Sequence, residues 1–320
     1  MKEENQMRTV KSVRVYNYDG SAAVRVEHAS LREPETGELL VRVHAAGVNP
    51  VDWKIRAGYL QQMLPLPLPI TLGPDLSGVV EQVGPDISGI RAGDEVYGQA
   101  PLFSGRPGSF AQAVIAQVGG IAAKPQTLSH TEAGALPLAG VSALQALTED
   151  LSMSPGEKIL IHGGAGGIGS IAIQIAKHLG AQVATTVSRR NIEFVKWLGA
   201  DEVIDRSNQN FEEVVRGLDA VLDTVGGDTY LRSFKALKKG GRVVSFLERP
   251  HQDLMNEFGV ESSFMFTQVT TDRLRRLAEL VDSGVVKIEI DKTFPLDQAA
   301  AALQYVEKES QRGKVVLKIA

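Results

Sequence analysis

Apolar and polar residues alternate in two rhythms along this chain, and the change falls near residue 125. Up to that point the apolar stretches are short and bounded by turn residues: Val13 to Tyr16, Glu38 to Ala45, Gly78 to Val83, Glu95 to Gly98 and Ser109 to Ile115. Runs of this length, rich in β-branched residues and punctuated by Gly, Pro, Asn and Asp, predict strands. Residues 1 to about 125 therefore predict an all-β, barrel-like block. Within it, Met63-Leu64-Pro65-Leu66-Pro67-Leu68-Pro69-Ile70 predicts an extended loop, because proline cannot donate to a central strand.

Beyond Ser129 the period lengthens. Thr131 to Leu151 carries Ala and Leu at helical spacing, and Ser154-Pro155-Gly156-Glu157 punctuates the chain before a new apolar run. Strands at Lys158 to His162, Gln182 to Val187, Glu202 to Ile204, Leu218 to Thr224 and Arg242 to Phe246 then alternate with helices at Ile168 to Leu179, Asn191 to Leu198 and Asp228 to Leu237. Lys238-Lys239-Gly240-Gly241 reads as a turn. Strand and helix in alternation make βαβ units and a parallel, doubly wound sheet. Helix Thr271 to Ser283, strand Val286 to Thr293, helix Leu296 to Lys308 and strand Lys314 to Ile319 complete the chain. The expected division is residues 1 to 125 with 285 to 320 returning to them, and 126 to 284 as the second domain.

Composition narrows the function. The 320 residues are 43% hydrophobic and 22% charged with a formal net charge of −4, which suits an ordinary soluble globular protein and gives no basic footprint for nucleic acid or an anionic membrane. There is no cysteine, hence no disulfide, thiolate nucleophile or cysteine-ligated metal. Met1 to Gln6 is polar and acidic, and no apolar run reaches about 18 residues, so a cytoplasmic protein acting on a small molecule is expected.

His162-Gly163-Gly164-Ala165-Gly166-Gly167-Ile168-Gly169 ends a strand and opens a helix, with Gly164, Gly166 and Gly169 in the G-x-G-x-x-G spacing. Glycines there let the backbone turn and approach a pyrophosphate, which the free N–H groups of the helix start attract. His162 reads as packed core. About 20 residues on, where an NAD site offers a carboxylate to the ribose, the chain has Thr186-Val187-Ser188-Arg189-Arg190-Asn191. A hydroxyl at Ser188 and guanidinium groups at Arg189 and Arg190 suit a 2′-phosphate, so NADPH is expected over NADH. The alternative is that both arginines merely begin a solvated helix.

Several motifs, in order, carry a family resemblance: Ala46-Gly47-Val48-Asn49-Pro50-Val51-Asp52, Leu72-Gly73-Pro74-Asp75-Leu76-Ser77-Gly78, Ala135-Leu136-Pro137-Leu138-Ala139-Gly140, the glycine turn, Asp223-Thr224-Val225-Gly226-Gly227 and Gly313-Lys314-Val315-Val316-Leu317. With them the whole chain resembles the zeta-crystallin-like quinone oxidoreductase branch of the medium-chain dehydrogenase/reductase superfamily. The resemblance implies an α/β protein with a GroES-like β-barrel domain, an inserted Rossmann domain and an active site in the cleft between them. Zinc-dependent relatives use cysteines and a Gly-His-Glu motif where this sequence has Gly73-Pro74-Asp75, so no metal site is expected.

The resemblance also implies that Asn49 and Asp52 line the cleft, Asn49 bonding an acceptor oxygen and Asp52 orienting neighbours; the open alternative is a turn at Asn49-Pro50 and a helix cap at Asp52. Enoyl-reducing relatives place a proton-donating tyrosine two residues past the glycine that follows this motif. Here Leu60 stands there and Tyr59 follows Gly58 directly, leaving proton donation or packing open for Tyr59. Thr224, Val225 and Phe246, at strand ends, are expected to flank the nicotinamide, with plain core as the alternative. The expected reaction is metal-free hydride transfer from NADPH to a quinone, with an alkenal or enone reductase as runner-up and a cofactor-binding sensor or structural protein as the rival outside enzymes. A homodimer or homotetramer is implied through an edge strand near Ser263 to Val269, where Phe264-Met265-Phe266 is apolar.

Overall fold

The computed structural model describes residues 8–18 and 24–320, so the reading of Met1 to Gln6 lies outside the described residues. The chain divides into two compact units: Met1–Leu138 with Val269–Asp282 and Ile288–Ala320, and Ala139–Gln268 with Ser283–Lys287. No helix of the described residues is long and apolar enough to cross a membrane.

The first unit holds β1 (Arg8–Val15), β2 (Val24–Leu31), β3 (Glu38–Val48), β4 (Ile70–Thr71), β5 (Asp75–Val83), β6 (Glu95–Gln99), β7 (Ala113–Gln117) and β8 (Ile121–Ala123). The second holds β9 (Lys158–His162), β10 (Gln182–Val187), β11 (Glu202–Asp205), β12 (Leu218–Asp223), β13 (Leu237–Ser245) and β14 (Glu261–Phe264); β15 (Ile290–Pro295) and β16 (Lys314–Lys318) return to the first.

In the first unit a seven-stranded sheet runs β15-β16-β3-β5-β6-β8, with β7 also on β3, and a three-stranded sheet runs β2-β1-β4. Every described pairing except β15 with β16 is antiparallel there. Strand β3 is buried at almost every position because it is paired along both edges and covered on its faces. Its core includes Val41, Val43, Leu72, Leu76, Phe110 and Leu317. Small residues let a helix come close: a Cβ on Gly134, in the helix His130–Ala135, would lie 2.8 Å from the Ala45 carbonyl oxygen. That packing carries the first unit past the expected boundary at 125, to Leu138. Helix Thr271–Asp282, expected in the second domain, also belongs to the first unit: the Thr271 hydroxyl bonds the Val118 and Ile121 carbonyls, and the Tyr97 hydroxyl donates to Leu274 O.

The second unit is a six-stranded parallel sheet in the order β11-β10-β9-β12-β13-β14, the doubly wound Rossmann arrangement. Strands β9 and β10 fall where the hydrophobic pattern puts them. The expected turn at Lys238 to Gly241 is instead part of a continuous β13, with the register shifting between Leu218/Leu237 and Ala220/Arg242 so that the extra residues bulge. The helical spacing over Thr131 to Leu151 is interrupted before Pro137, which has no N–H to continue the ladder although Leu136 keeps helical backbone, and ends in a π-helical turn at Ala146–Asp150. The edge strand is β14, Glu261–Phe264, and begins before the expected Ser263 to Val269.

One ion cluster fixes the start of β3. The Glu38 side chain, 4% exposed, accepts from Arg32 (2.6 and 2.9 Å), Arg106, Gln117 (2.9 Å) and the Glu35 N–H (2.9 Å). The Arg32 guanidinium is the main reason its carboxyl is held at about 2, although burial opposes this. A lowered folded pKa gives stability that is present above the ordinary glutamate range and lost as pH falls through about 2. Glu38→Ala is expected to lower unfolding free energy by about 2–3 kcal/mol at pH 7, with a smaller deficit at pH 3. Urea unfolding at both values checks it; an equal deficit at each contradicts the ion-cluster account.

Candidate active site

In the first unit four polar side chains meet where water is excluded. Asn49 follows β3 and is the N-cap of helix Pro50–Arg56, Asp52 is in that helix, Asp75 opens β5, and Lys314 opens β16; all are at most 5% exposed. The Asn49 amide nitrogen donates to Asp75 Oδ2 (2.9 Å) and its oxygen accepts from Lys314 Nζ. Asp75 Oδ1 accepts from the Leu138 N–H (2.8 Å), and Lys314 Nζ lies 3.9 Å from Asp75 Oδ2. Asp52 accepts from the Asn49 N–H (2.8 Å) and the Gly73 N–H (3.2 Å). Burial pushes Asp52 up to about 7 and Asp75 up to about 6, with Lys314 pulling both back; burial in turn lowers Lys314. Every polar atom of Asn49 is thus engaged within the chain, and Asp52 caps the helix and anchors the loop before β5.

On the same helix Lys54 is half-buried. Its ammonium lies 6.0 Å from the Trp53 ring centroid, makes no ion pair among the described residues, and is lowered by burial alone. Tyr59 stands edge-on to Trp53 at 5.8 Å and is 74% exposed.

In the second unit the glycine turn joins β9 to helix Gly167–His178. A Cβ on Gly169 would lie 2.3 Å from Gly163 O, so glycine there is required by the close packing of turn and helix. Gly166 differs: its φ of −77° suits any residue, and a Cβ would meet nothing nearer than Gly163 O at 3.4 Å. Neither backbone nor packing demands glycine at 166. A methyl there would instead fill the space beside the first-turn N–H groups of Gly167, Ile168 and Gly169, which have no partner within the helix. The turn fits a dinucleotide pyrophosphate, with Gly164 and Ala165 completing the loop.

Strand β10 ends at Val187 without a carboxylate, and Ser188, Arg189 and Arg190 follow, the last two exposed. Arg206 joins them: Val187 is in register with Asp205, and the Arg206 N–H donates to Val187 O (3.0 Å). Thr224, Val225 and Phe246 lie just past the carboxyl ends of β12 and β13. The Thr224 hydroxyl donates to His162 O (2.8 Å), and Val225 is 43% exposed. Asp223 organises this rim, accepting from the N–H groups of Val225 (3.0 Å) and Gly226 (2.9 Å) and from the Ser245 hydroxyl (2.7 Å). His162 is fully buried between Thr186 and Ser233, and burial holds it down at about 4, a neutral core residue.

Residues 35–126 match the family model of an alcohol dehydrogenase GroES-like domain, and residues 198–317 that of a zinc-binding dehydrogenase. A solved quinone oxidoreductase from Coxiella burnetii superposes with a TM-score of 0.90 at 34% identity, over 98% of this chain and 100% of that one. The 2-methylene-furan-3-one reductase of Solanum lycopersicum is 36% identical over 313 residues, 94% of this chain and 77% of that protein. The chain belongs to the medium-chain dehydrogenase/reductase superfamily, in its zinc-free quinone oxidoreductase branch. A further member, the NADPH-dependent alkenal/one oxidoreductase of Arabidopsis thaliana chloroplasts, is 34% identical over 95% of this chain and 78% of its own.

As a member of this superfamily the protein is an oxidoreductase that works with a nicotinamide cofactor on small molecules. The zinc in one model's description has no counterpart in its ligands: there is no cysteine, Asp75 is committed to Asn49 and Leu138, and no metal-ligating cluster forms among the described residues. Sequence reasoning missed Lys54, Arg206 and Lys314 as site candidates. Arg206 was accessible from the register of β10 and β11; the burial of Lys54 and the long-range partner of Lys314 were not.

Proposed function

We propose that the protein transfers a hydride from NADPH to a small conjugated carbonyl compound, with a quinone as the preferred acceptor. The cations Arg189, Arg190 and Arg206 around the end of β10, where a carboxylate would select NADH, carry the NADPH part of this reading. The Gly164 to Gly169 turn would hold the pyrophosphate, and Thr224, Val225 and Phe246 would bound the nicotinamide. Bound NADPH supplies the hydride. The chain supplies position and charge: Lys54, desolvated and without a carboxylate partner among the described residues, stabilises negative charge developing on the acceptor oxygen, while Asp52 and Asn49 hold the helix that carries it. Asn49 acts through this network and does not itself bond the acceptor.

The printed names of the tomato and Arabidopsis relatives favour a second reading, reduction of the carbon-carbon double bond of an enone. That reaction needs a proton as well as a hydride. Tyr59 is exposed enough to receive one from water and pass it on.

Initial rates of NADPH and NADH oxidation, with a chelator present, against an ortho-quinone, a para-quinone, an enone and an aldehyde test both readings. NADPH should be preferred and quinones should turn over fastest. Lys54→Met should lower kcat/KM on the quinone by about 100-fold, and the parent rate should fall as pH rises through the lowered pKa of Lys54. Turnover of the enone alone selects the second reading. Tight NADPH binding with no turnover moves the protein to the sensor or structural class.

We also propose a homodimer or homotetramer joined through β14, which among the described residues pairs only with β13 and has Phe264 and Phe266 exposed at and just past its end. Light scattering should give a multiple of 34.4 kDa for the parent and the monomer mass for Phe266→Asp. A monomeric parent ends this proposal.

A further inference from the structure

The second unit has a cavity of about 400 Å³ far from the dinucleotide turn, at the other end of helix Gly167–His178. That helix is 12 residues long, so about 18 Å separates the cavity from the first-turn N–H groups. Every lining residue belongs to the second unit. One wall is the end of helix Ile192–Trp197 with Leu198, a second is Lys177 and His178, and the third is the segment 284–287. The buried Gln174 side chain holds that segment in place: its oxygen accepts from the Lys287 N–H (2.9 Å) and its nitrogen donates to Lys287 O (3.0 Å).

Two features of the cavity serve no purpose within the fold. Trp197 stacks on Phe194 at 6.3 Å and 23°, yet is 61% exposed, which leaves apolar ring surface in water. The Lys287 ammonium lies 5.2 Å from the Trp197 ring centroid and has no ion pair among the described residues. Lys177 differs, because Asp201 engages it at 2.7 and 2.8 Å. No lining residue carries a carboxylate. The cavity therefore joins an apolar surface of Trp197, Leu198 and Val285 to an unpaired cation that the indole face already positions.

We propose that this cavity binds a planar aromatic carboxylate, whose charge pairs with Lys287 and whose ring packs against Trp197, Leu198 and Val285. The volume lies in the range of small-molecule sites. An inorganic anion would leave the apolar wall uncovered, and a neutral aromatic would leave the ammonium unpaired; an aryl acid answers both. The two helices of the site follow β9 and β10, whereas β14 is the opposite edge of the sheet, so association through β14 leaves the cavity open. The site depends neither on the acceptor that the enzyme reduces nor on its choice of cofactor.

Indole N–H resonances of the intact, isotope-labelled protein test the proposal, since the chain has two tryptophans, Trp53 and Trp197, and Trp197→Phe assigns them. The probe is 2-naphthoate. It should shift the Trp197 resonance saturably with a Kd of about 1 mM or tighter, leave that of Trp53 in place, and do the same with saturating NADPH present. Its uncharged carboxamide should bind about tenfold more weakly. Lys287→Met, at an exposed position, should weaken the acid about tenfold and leave the carboxamide unchanged. No saturable shift at Trp197, equal affinities for acid and carboxamide, or an equal response to inorganic phosphate overturns the proposal. So does a shift at Trp53 alone or competition by NADPH, either of which moves the acid to the candidate active site.

Discussion

Lys314→Met is expected to destabilise the folded protein by about 3–5 kcal/mol at pH 8, because it removes one partner from a buried ionic cluster and leaves carboxyl groups behind. Methionine matches the length and apolar stem of lysine, so packing changes little. What is lost is the ammonium that donates to Asn49 and faces Asp75 at 3.9 Å. Both aspartates already resist ionisation, with Asp75 at about 6 and Asp52 at about 7. A carboxyl with a raised folded pKa favours the fold below its unfolded value and loses that contribution as pH rises through the folded one. The deficit of Lys314→Met relative to the parent should therefore shrink as pH falls from 8 to 5, where Asp75 takes a proton and needs no counter-ion. Adding Asp75→Asn should recover part of the loss, which a double-mutant cycle in chemical denaturation would report. A deficit independent of pH, or additive with Asp75→Asn, would contradict the electrostatic account.

The second large effect concerns cofactor choice. Arg189→Ala with Arg190→Ala should raise the KM for NADPH by about 100-fold while changing that for NADH by less than about threefold, since each charge-assisted bond to a phosphate is worth about 1.5–3 kcal/mol. Arg206→Ala should act in the same direction and more weakly, because its exposed side chain is placed by the backbone bond to Val187 and by no side-chain bond among the described residues. Equal losses for the two cofactors would mean that these arginines serve the turn or the helix start, not a 2′-phosphate.

These two predictions also mark what was and was not legible in the sequence. The glycine turn, β9 and β10 announce themselves locally: a continuous apolar run, then glycines at fixed spacing, then a helical period, all within a few turns of chain. Arg189 and Arg190 follow from that frame by counting. Strand β2 left no comparable signal, because it lies at a sheet edge with most residues half or fully exposed, so its alternation is weak. Helix Gln252–Phe258 packs Leu254, Met255 and Phe258 only partly buried against the core, and its seven residues are too few to establish a helical period. The meeting of Lys314 with Asn49 spans 265 residues, and nothing near either one reveals it. Asn49 itself illustrates the limit: its residue type suits a ligand contact, and only the positions of Asp75 and Lys314 show that its amide is already engaged.

The seven-stranded sheet has a consequence for biosynthesis. Strand β16 sits between β15 and β3, so the sheet around Asn49 needs residues 38–48 and residues 314–318 together, and the entire parallel sheet is translated in between. The parallel sheet is almost one contiguous stretch and can fold on the ribosome as soon as its strands have emerged. The barrel cannot. Until β16 leaves the exit tunnel, β3 has an open edge and Asn49 and Asp75 lack their ammonium, which leaves this part of the nascent chain the natural client of a chaperone.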